Sequence, residues 1–129
     1  MRIEHIAFNV AEPLEVAAWY CRHLGFTIAR GMKEEPWAHF LADERGRTVL
    51  EVYHNPKCRV PDYAARDPLE LHVAFVCDDV AGTVARLVAA GASVAAAPVT
   101  AANGDTIAML RDPWGLCIQL VKRAVPLQG

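Results

Sequence analysis

Four side chains in this sequence have the types and the spacing for divalent-metal chemistry: His5, Glu51, His72 and Gln119. Two imidazoles, one carboxylate and one amide oxygen form a mixed N/O donor set suited to a borderline transition ion. An octahedral ion held by all four would keep two positions for water or a chelating substrate. The four also come in pairs, since His72 follows His5 by 67 positions and Gln119 follows Glu51 by 68. Taken singly, each has an ordinary explanation: a hydrogen-bonded strand histidine, a solvated glutamate, an incidental glutamine. Their matched placement lifts the set above that background.

Matched placement points to an internal repeat. Residues 3–10, IEHIAFNV, resemble residues 70–77, ELHVAFVC. Each run meets an acidic or turn segment and then a helical stretch. The first helix is expected over Pro13–Leu24, with Leu14, Ala17, Ala18 and Cys21 at helical spacing. The second is expected over Val80–Ala90, with Val80, Val84, Leu87 and Val88. Gly25 and Gly91 stand where C-caps would. Strands are expected at Phe26–Ala29, Trp37–Ala42 and Arg47–Tyr53, and again at Ser93–Ala96, Thr106–Arg111 and Leu116–Val121. Turns at Asp43–Gly46 and Asp112–Gly115 precede the last strand of each half. Each half therefore reads strand–helix–strand–strand–strand. The fold expected is α+β, two tandem βαβββ modules over about 1–55 and 69–123, joined by a linker at 56–68 within one domain spanning 1–129.

Alternation along strands then sorts the faces. Ile6 and Phe8 are expected against the first helix, which turns His5 and Ala7 to the opposite side. Val73 and Phe75 do the same for His72 and Ala74, and Leu50 and Val52 for Glu51. Ile118 and Leu120 leave Cys117, Gln119 and Val121 together. All four candidate ligands thus point off the helix-packed side, the concave side of a duplicated sheet that curls around itself. No Lys or Arg shares the strand face of Glu51 nearby, so a cation is the expected compensation for its charge.

The remaining residues carry less. Cys21, Cys58, Cys77 and Cys117 show no CxxC spacing, as reduced thiols of a cytoplasmic protein would not. Cys117 reads as a small apolar wall residue, because no activating base adjoins it. His23 suits a helix C-terminus, His54 borders a loop, and His39 with Trp37 is a candidate pocket residue without a repeat partner. GxGxxG, P-loop and GxSxG motifs do not occur. With 13 Lys+Arg against 15 Asp+Glu, the net charge is −2, so no basic excess exists to grip nucleic acid. Apolar stretches are too short to span a bilayer, and the strand-like MRIEHIAFNV is not expected to be a signal peptide. A hydrophobic fraction of 53% over 129 residues supplies the core of a folded domain. A soluble cytoplasmic protein without nucleic-acid or membrane partners is expected.

The segments IEHIAFNV, RTVLEVY, LELHVAFVCDDV and RDPWGLCIQLV resemble the vicinal oxygen chelate superfamily over nearly the whole chain, Arg2 to about Lys122. That superfamily includes lactoylglutathione lyase (glyoxalase I), bleomycin-resistance proteins and extradiol dioxygenases. The resemblance implies paired βαβββ modules forming an open barrel-like cup, usually in a homodimer, with metal ligands on the inner strands. By position, His5, Glu51, His72 and Gln119 match the four ligand places of its glyoxalase-like members. Gln119 departs from the pattern, because those members usually carry glutamate there. Glu51, at the symmetry-related place, is then the one carboxylate able to act as base.

What the resemblance implies is a metal-dependent lyase or isomerase of glyoxalase type. Its substrate would be a small molecule with two vicinal oxygens, converted through an enediolate that the ion stabilises. The cofactor expected is one divalent transition metal ion, with Zn, Ni, Co, Mn and Fe all suited to these ligands. Glu51 is the expected catalytic residue. An Fe(II) extradiol-type dioxygenase is the first alternative, lowered, like a fosfomycin-type transferase, by glutamine at the last-strand position. A non-enzymatic antibiotic-binding resistance protein is the second, with Trp37, Tyr53 and Trp114 as its aromatic lining.

Overall fold

The computed structural model describes residues 1–127 and, apart from the side chain of Val49, all their side chains. The last two residues of the expected 1–129 domain, Gln128 and Gly129, lie outside the described residues. The chain divides into two compact units, the first Met1–Pro61 and the second beginning at Asp62. The boundary falls inside the polar stretch expected as a linker.

The first unit carries β1 (Ile6–Asn9), α1 (Pro13–Leu24), β2 (Thr27–Gly31), β3 (His39–Ala42) and β4 (Thr48–Tyr53). The second carries β5 (Val73–Val76), α2 (Val80–Ala89), β6 (Ser93–Thr100), β7 (Thr106–Arg111) and β8 (Cys117–Lys122). Their sheets have the same order, β1-β4-β3-β2 and β5-β8-β7-β6, with the first strand parallel to the last and the others antiparallel. This is the α+β pattern of strand–helix–strand–strand–strand in each half.

The hairpin turns before β4 and β8 are built alike. Asp43 Oδ1 accepts from the N–H groups of Arg45 and Arg47, each at 3.0 Å. Asp112 Oδ1 accepts from those of Trp114 at 3.0 Å and Leu116 at 2.9 Å. Gly46 and Gly115 close the two turns onto Asp43 and Asp112 through backbone bonds of 2.9 and 3.0 Å. An aspartate that takes two orphan amides is the local device that starts each final strand.

α1 starts with Pro at its first position and ends at Gly25, whose φ of 75° is left-handed. Its buried residues are Pro13, Val16, Ala17, Trp19 and Tyr20, and of the expected Leu14, Ala17, Ala18 and Cys21 it buries Ala17. The larger Val16 and Tyr20 bury more surface than Ala18 and Cys21. Leu14 is accordingly left 49% exposed. α2 is capped by Asp79, whose side chain accepts from the Gly82 N–H at 2.9 Å. It buries Val80 and Leu87 and leaves Val88 outward. Its C-cap is Ala90, with Gly91 one step beyond.

α1 lies over β2, β3 and β4, and α2 over β6, β7 and β8. Beneath them sit Phe8, Leu41, Leu50 and Val52 in the first unit and Ala108, Leu110, Ile118 and Leu120 in the second. Phe8 packs as expected, but Ile6 on the same face is 54% exposed. β1 is an edge strand, and Ile6 is its first residue while Phe8 lies further in. β3 begins at His39 instead of Trp37, because Trp37 has a left-handed φ of 57°. β2 continues to Gly31, paired with His39. A Cβ on Gly31 would lie 2.8 Å from the His39 Nε2, so a side chain there would make the His39 ring shift. β6 is longer than expected and runs to Thr100, whose hydroxyl meets that of Thr106 at 2.9 Å.

Candidate metal centre

Strand register decides which side chains meet. Residues paired across adjacent strands project to the same side of a sheet. Glu51 pairs with Ala7 on β1 and with Phe40 on β3. His5, two residues before Ala7 and just ahead of β1, therefore joins Glu51 on the face away from α1. The structure brings these two together, with His5 Nε2 and Glu51 Oε2 3.2 Å apart. The Phe40 ring stands edge-on to the His5 imidazole, centroids 5.3 Å apart at 84°. Phe40 escaped the sequence reading, although its alternation with His39 and Leu41 was there to place it opposite the helix.

The second sheet repeats the arrangement. Gln119 pairs with Ala74 on β5 and Met109 on β7. His72, two residues before Ala74, shares that face, while Ile118, Leu120 and Leu110 are buried on the other. Gln119 Nε2 donates to the Met109 sulfur at 3.8 Å, which leaves its Oε1 as the outward acceptor. Met109 was not singled out from sequence, since a methionine in a strand reads as core.

Both imidazoles are held by Nδ1. His72 Nδ1 donates to the Pro68 carbonyl at 2.8 Å. His5 Nδ1 bonds the Glu4 carboxylate. An acceptor on one ring nitrogen fixes the tautomer and offers the other to a metal, as ligating histidines almost always require. His5 shows the consequence. A neutral imidazole carries one N–H, yet both its nitrogens face carboxylates, Glu4 and Glu51. A divalent cation between Nε2 and Oε2 would satisfy both groups. Two ligand atoms each about 2.0–2.2 Å from one ion, at a right angle, lie about 3 Å apart. The His5–Glu51 separation fits that spacing.

Glu51 is half-buried rather than sealed off, its side chain 18% exposed, so its charge is open to solvent as well as to a cation. Among the described residues, no group of three or more His, Cys, Asp or Glu side chains stands arranged to hold a metal ion. The donor types nevertheless suit a divalent transition ion in each unit taken by itself, an imidazole with a carboxylate in His5 and Glu51 and an imidazole with an amide oxygen in His72 and Gln119.

His39 does not belong to this face. It pairs with Val52 on the α1 side, is buried, and donates from Nδ1 to the Trp37 carbonyl at 2.7 Å. The alternation with Leu41, the most buried residue of β3, is the reason. His54 Nδ1 donates to the Val10 carbonyl at 2.9 Å, and His23 stacks near Trp19 at the end of α1. Cys117 shares the Gln119 face but is buried, and burial pushes its thiol pKa up, partly opposed by the Arg111 guanidinium. It is a wall residue. Tyr53 follows Glu51 on its face, whereas Trp37 is outside β3 and partly exposed.

The family model of the Glyoxalase/Bleomycin resistance protein/Dioxygenase superfamily matches residues 2–120. The chain belongs to that superfamily. Among relatives, a probable lactoylglutathione lyase of Vibrio cholerae is 28% identical over 127 residues, 94% of this chain and 90% of the relative. Glyoxalase I from Zea mays superposes with a TM-score of 0.75 at 22% identity. The match covers 96% of this glyoxalase-superfamily chain but 45% of the maize chain, so this chain spans under half of that enzyme. TnmS3, an antibiotic-binding protein from Streptomyces sp. CB03234, superposes with a TM-score of 0.69 at 19% identity, covering 96% and 97% of the two chains. The two structural likenesses concern the fold. Among the described residues, no helix is long and apolar enough to cross a membrane.

Proposed function

We propose that this glyoxalase-superfamily protein is a metal-dependent lyase or isomerase acting on a small substrate with two adjacent oxygens, such as a hemithioacetal or an α-hydroxycarbonyl. The observation that carries the reading is the His5–Glu51 pair at 3.2 Å on the face opposite α1. Similarity to a probable lactoylglutathione lyase supports it. The residues that would hold one divalent ion are His5, Glu51, His72 and Gln119. When bound, that ion supplies Lewis-acid polarisation of the two substrate oxygens.

The chain's own residues do the rest. Glu51 is the one carboxylate of the set; it takes the C–H proton from the carbon that bears the hydroxyl and returns it to the neighbouring carbonyl carbon, while the hydroxyl proton passes to the former carbonyl oxygen. No oxidant or second substrate is needed for that shift. His5 stays oriented by Glu4, and His72 by the Pro68 carbonyl, so both keep Nε2 unprotonated toward the ion. Gln119 keeps its amide nitrogen on Met109 and contributes oxygen without adding negative charge. A homodimer in the cytoplasm is the setting that the reading carries with it.

The test is to load purified protein with Zn, Ni, Co, Mn or Fe(II) and offer hemithioacetals, catechols and antibiotics while recording product and oxygen. Isomerisation without oxygen uptake is expected. Oxygen consumption with Fe(II) would make the protein a dioxygenase instead, and tight drug binding without turnover would make it a binding protein.

A further inference from the structure

Arg111 is the last residue of β7 and is partly exposed. Its guanidinium donates to three backbone carbonyls: Nη1 to Tyr63 and to Gly115, each at 3.1 Å, and Nη2 to Arg66 at 2.7 Å. Tyr63 and Arg66 belong to the stretch that leads from the unit boundary to His72. Tyr63 is itself buried. The turn before β8 presses on the same segment at Ala64. Gly115, at a φ of +94°, comes so near that a Cβ would lie 2.8 Å from the Ala64 backbone nitrogen. A planar fork that reaches several carbonyls at once is a task for arginine and not for lysine.

From Arg66 the chain runs turn by turn to His72. Asp67 Oδ1 accepts from the Leu69 N–H at 2.8 Å, and the Asp67 carbonyl from the Glu70 N–H at 2.9 Å. The Pro68 carbonyl, two residues beyond the clasped Arg66 carbonyl, accepts from His72 Nδ1. We propose that Arg111 is a positioning residue for His72. By clasping Tyr63–Arg66 onto the β7–β8 turn, it holds the Pro68 carbonyl that fixes the His72 ring as its Nδ1–H tautomer, with Nε2 bare. This deepens the metal reading given above and rests on it for its functional meaning. The first unit manages differently, because His5 is held by the side chain of its own neighbour Glu4. The two imidazoles therefore differ in what supports them, and the clasp acts on one alone.

The test reads the ring nitrogens by 15N NMR in the metal-free protein at about pH 8.5, above the usual imidazole range near 6.5. In the native protein His72 should show a protonated Nδ1 and a bare Nε2. In Arg111→Met it should shift toward the Nε2–H tautomer that a free neutral imidazole favours. His39 and His54, held by carbonyls in the other unit, should keep their signals. Arg111→Lys keeps the charge and is the variant to use if the methionine variant does not fold; it should show the same shift in smaller degree. Titration with Zn2+ alone should give affinity about 10- to 100-fold weaker in Arg111→Met, the usual cost of losing an outer-shell partner. An unchanged His72 tautomer in either folded variant overturns the proposal, as does a shift shared by all the histidines. A native protein that binds no Zn2+ overturns the metal reading instead, and the tautomer measurement still decides the clasp.

Discussion

Glu51 Oε2 and His5 Nε2 stand 3.2 Å apart, although Glu51 lies on β4 and His5 just ahead of the parallel strand β1. The contact puts the one carboxylate of the proposed ligand set beside an imidazole already held by Glu4. In the proposed reading Glu51 is both a ligand and the group that moves a proton.

Replacing Glu51 with Gln separates those roles. The amide oxygen still coordinates, so Glu51→Gln should keep much of the metal while turnover falls by about 10² to 10⁴, as loss of a general base does. Gln119→Glu should keep metal bound. Metal analysis and single-turnover rates of both variants check this, and a fully active Glu51→Gln protein would place the base elsewhere.

His5→Ala and His72→Ala should each abolish stoichiometric metal binding with the fold retained, because both rings sit at strand entrances outside the helix-covered cores. Metal content with a far-UV circular dichroism spectrum decides it. Full occupancy in either variant removes that residue from the site.

The two matched turns should differ in what they contribute to stability. Asp112 is buried and its side chain accepts from two amides, so Asp112→Ala should cost about 2 kcal/mol, the penalty for stranding buried donors. Asp43 makes the same two bonds in a more exposed turn, where water replaces them, and Asp43→Ala should cost less than about 1 kcal/mol. Denaturant unfolding of both variants gives the comparison; equal costs would contradict the burial argument.

Acid should weaken the end of the second unit. The Arg123 guanidinium, bonded at 2.6 Å, and the Ala124 amide hold the Asp105 carboxyl below the usual carboxylate range. A carboxyl lowered in the folded state adds stability above its unfolded pKa of about 3.9, and that stability is lost as pH falls toward the folded value. Asp105→Asn should therefore lower the melting temperature at pH 7, and the gap from the native protein should close as the pH drops below about 4. A gap that persists unchanged to pH 2 would show that the bond geometry, not the charge, matters there.

Much of this protein is determined by sequence alone. The strand–helix–strand–strand–strand order, the spacing of His5 with His72 and Glu51 with Gln119, and the side of each strand that carries them follow from local rules. Alternation along a strand, a glycine after a helix and an aspartate opening a turn act over a few residues, so they are visible without partners. What the tertiary structure decided is everything that depends on register and on competition for burial. Pairing of Glu51 with Ala7 and Phe40 brought His5 and Phe40 to the carboxylate. The greater surface of Val16 and Tyr20 chose the buried face of α1, and Ile6, the first residue of the edge strand β1, is left outside. Arg111 found three carbonyls, two of them on a distant segment that local pattern treated as linker. Those outcomes are set by hydrogen bonds and packing between segments far apart in the chain, where no local period carries the information.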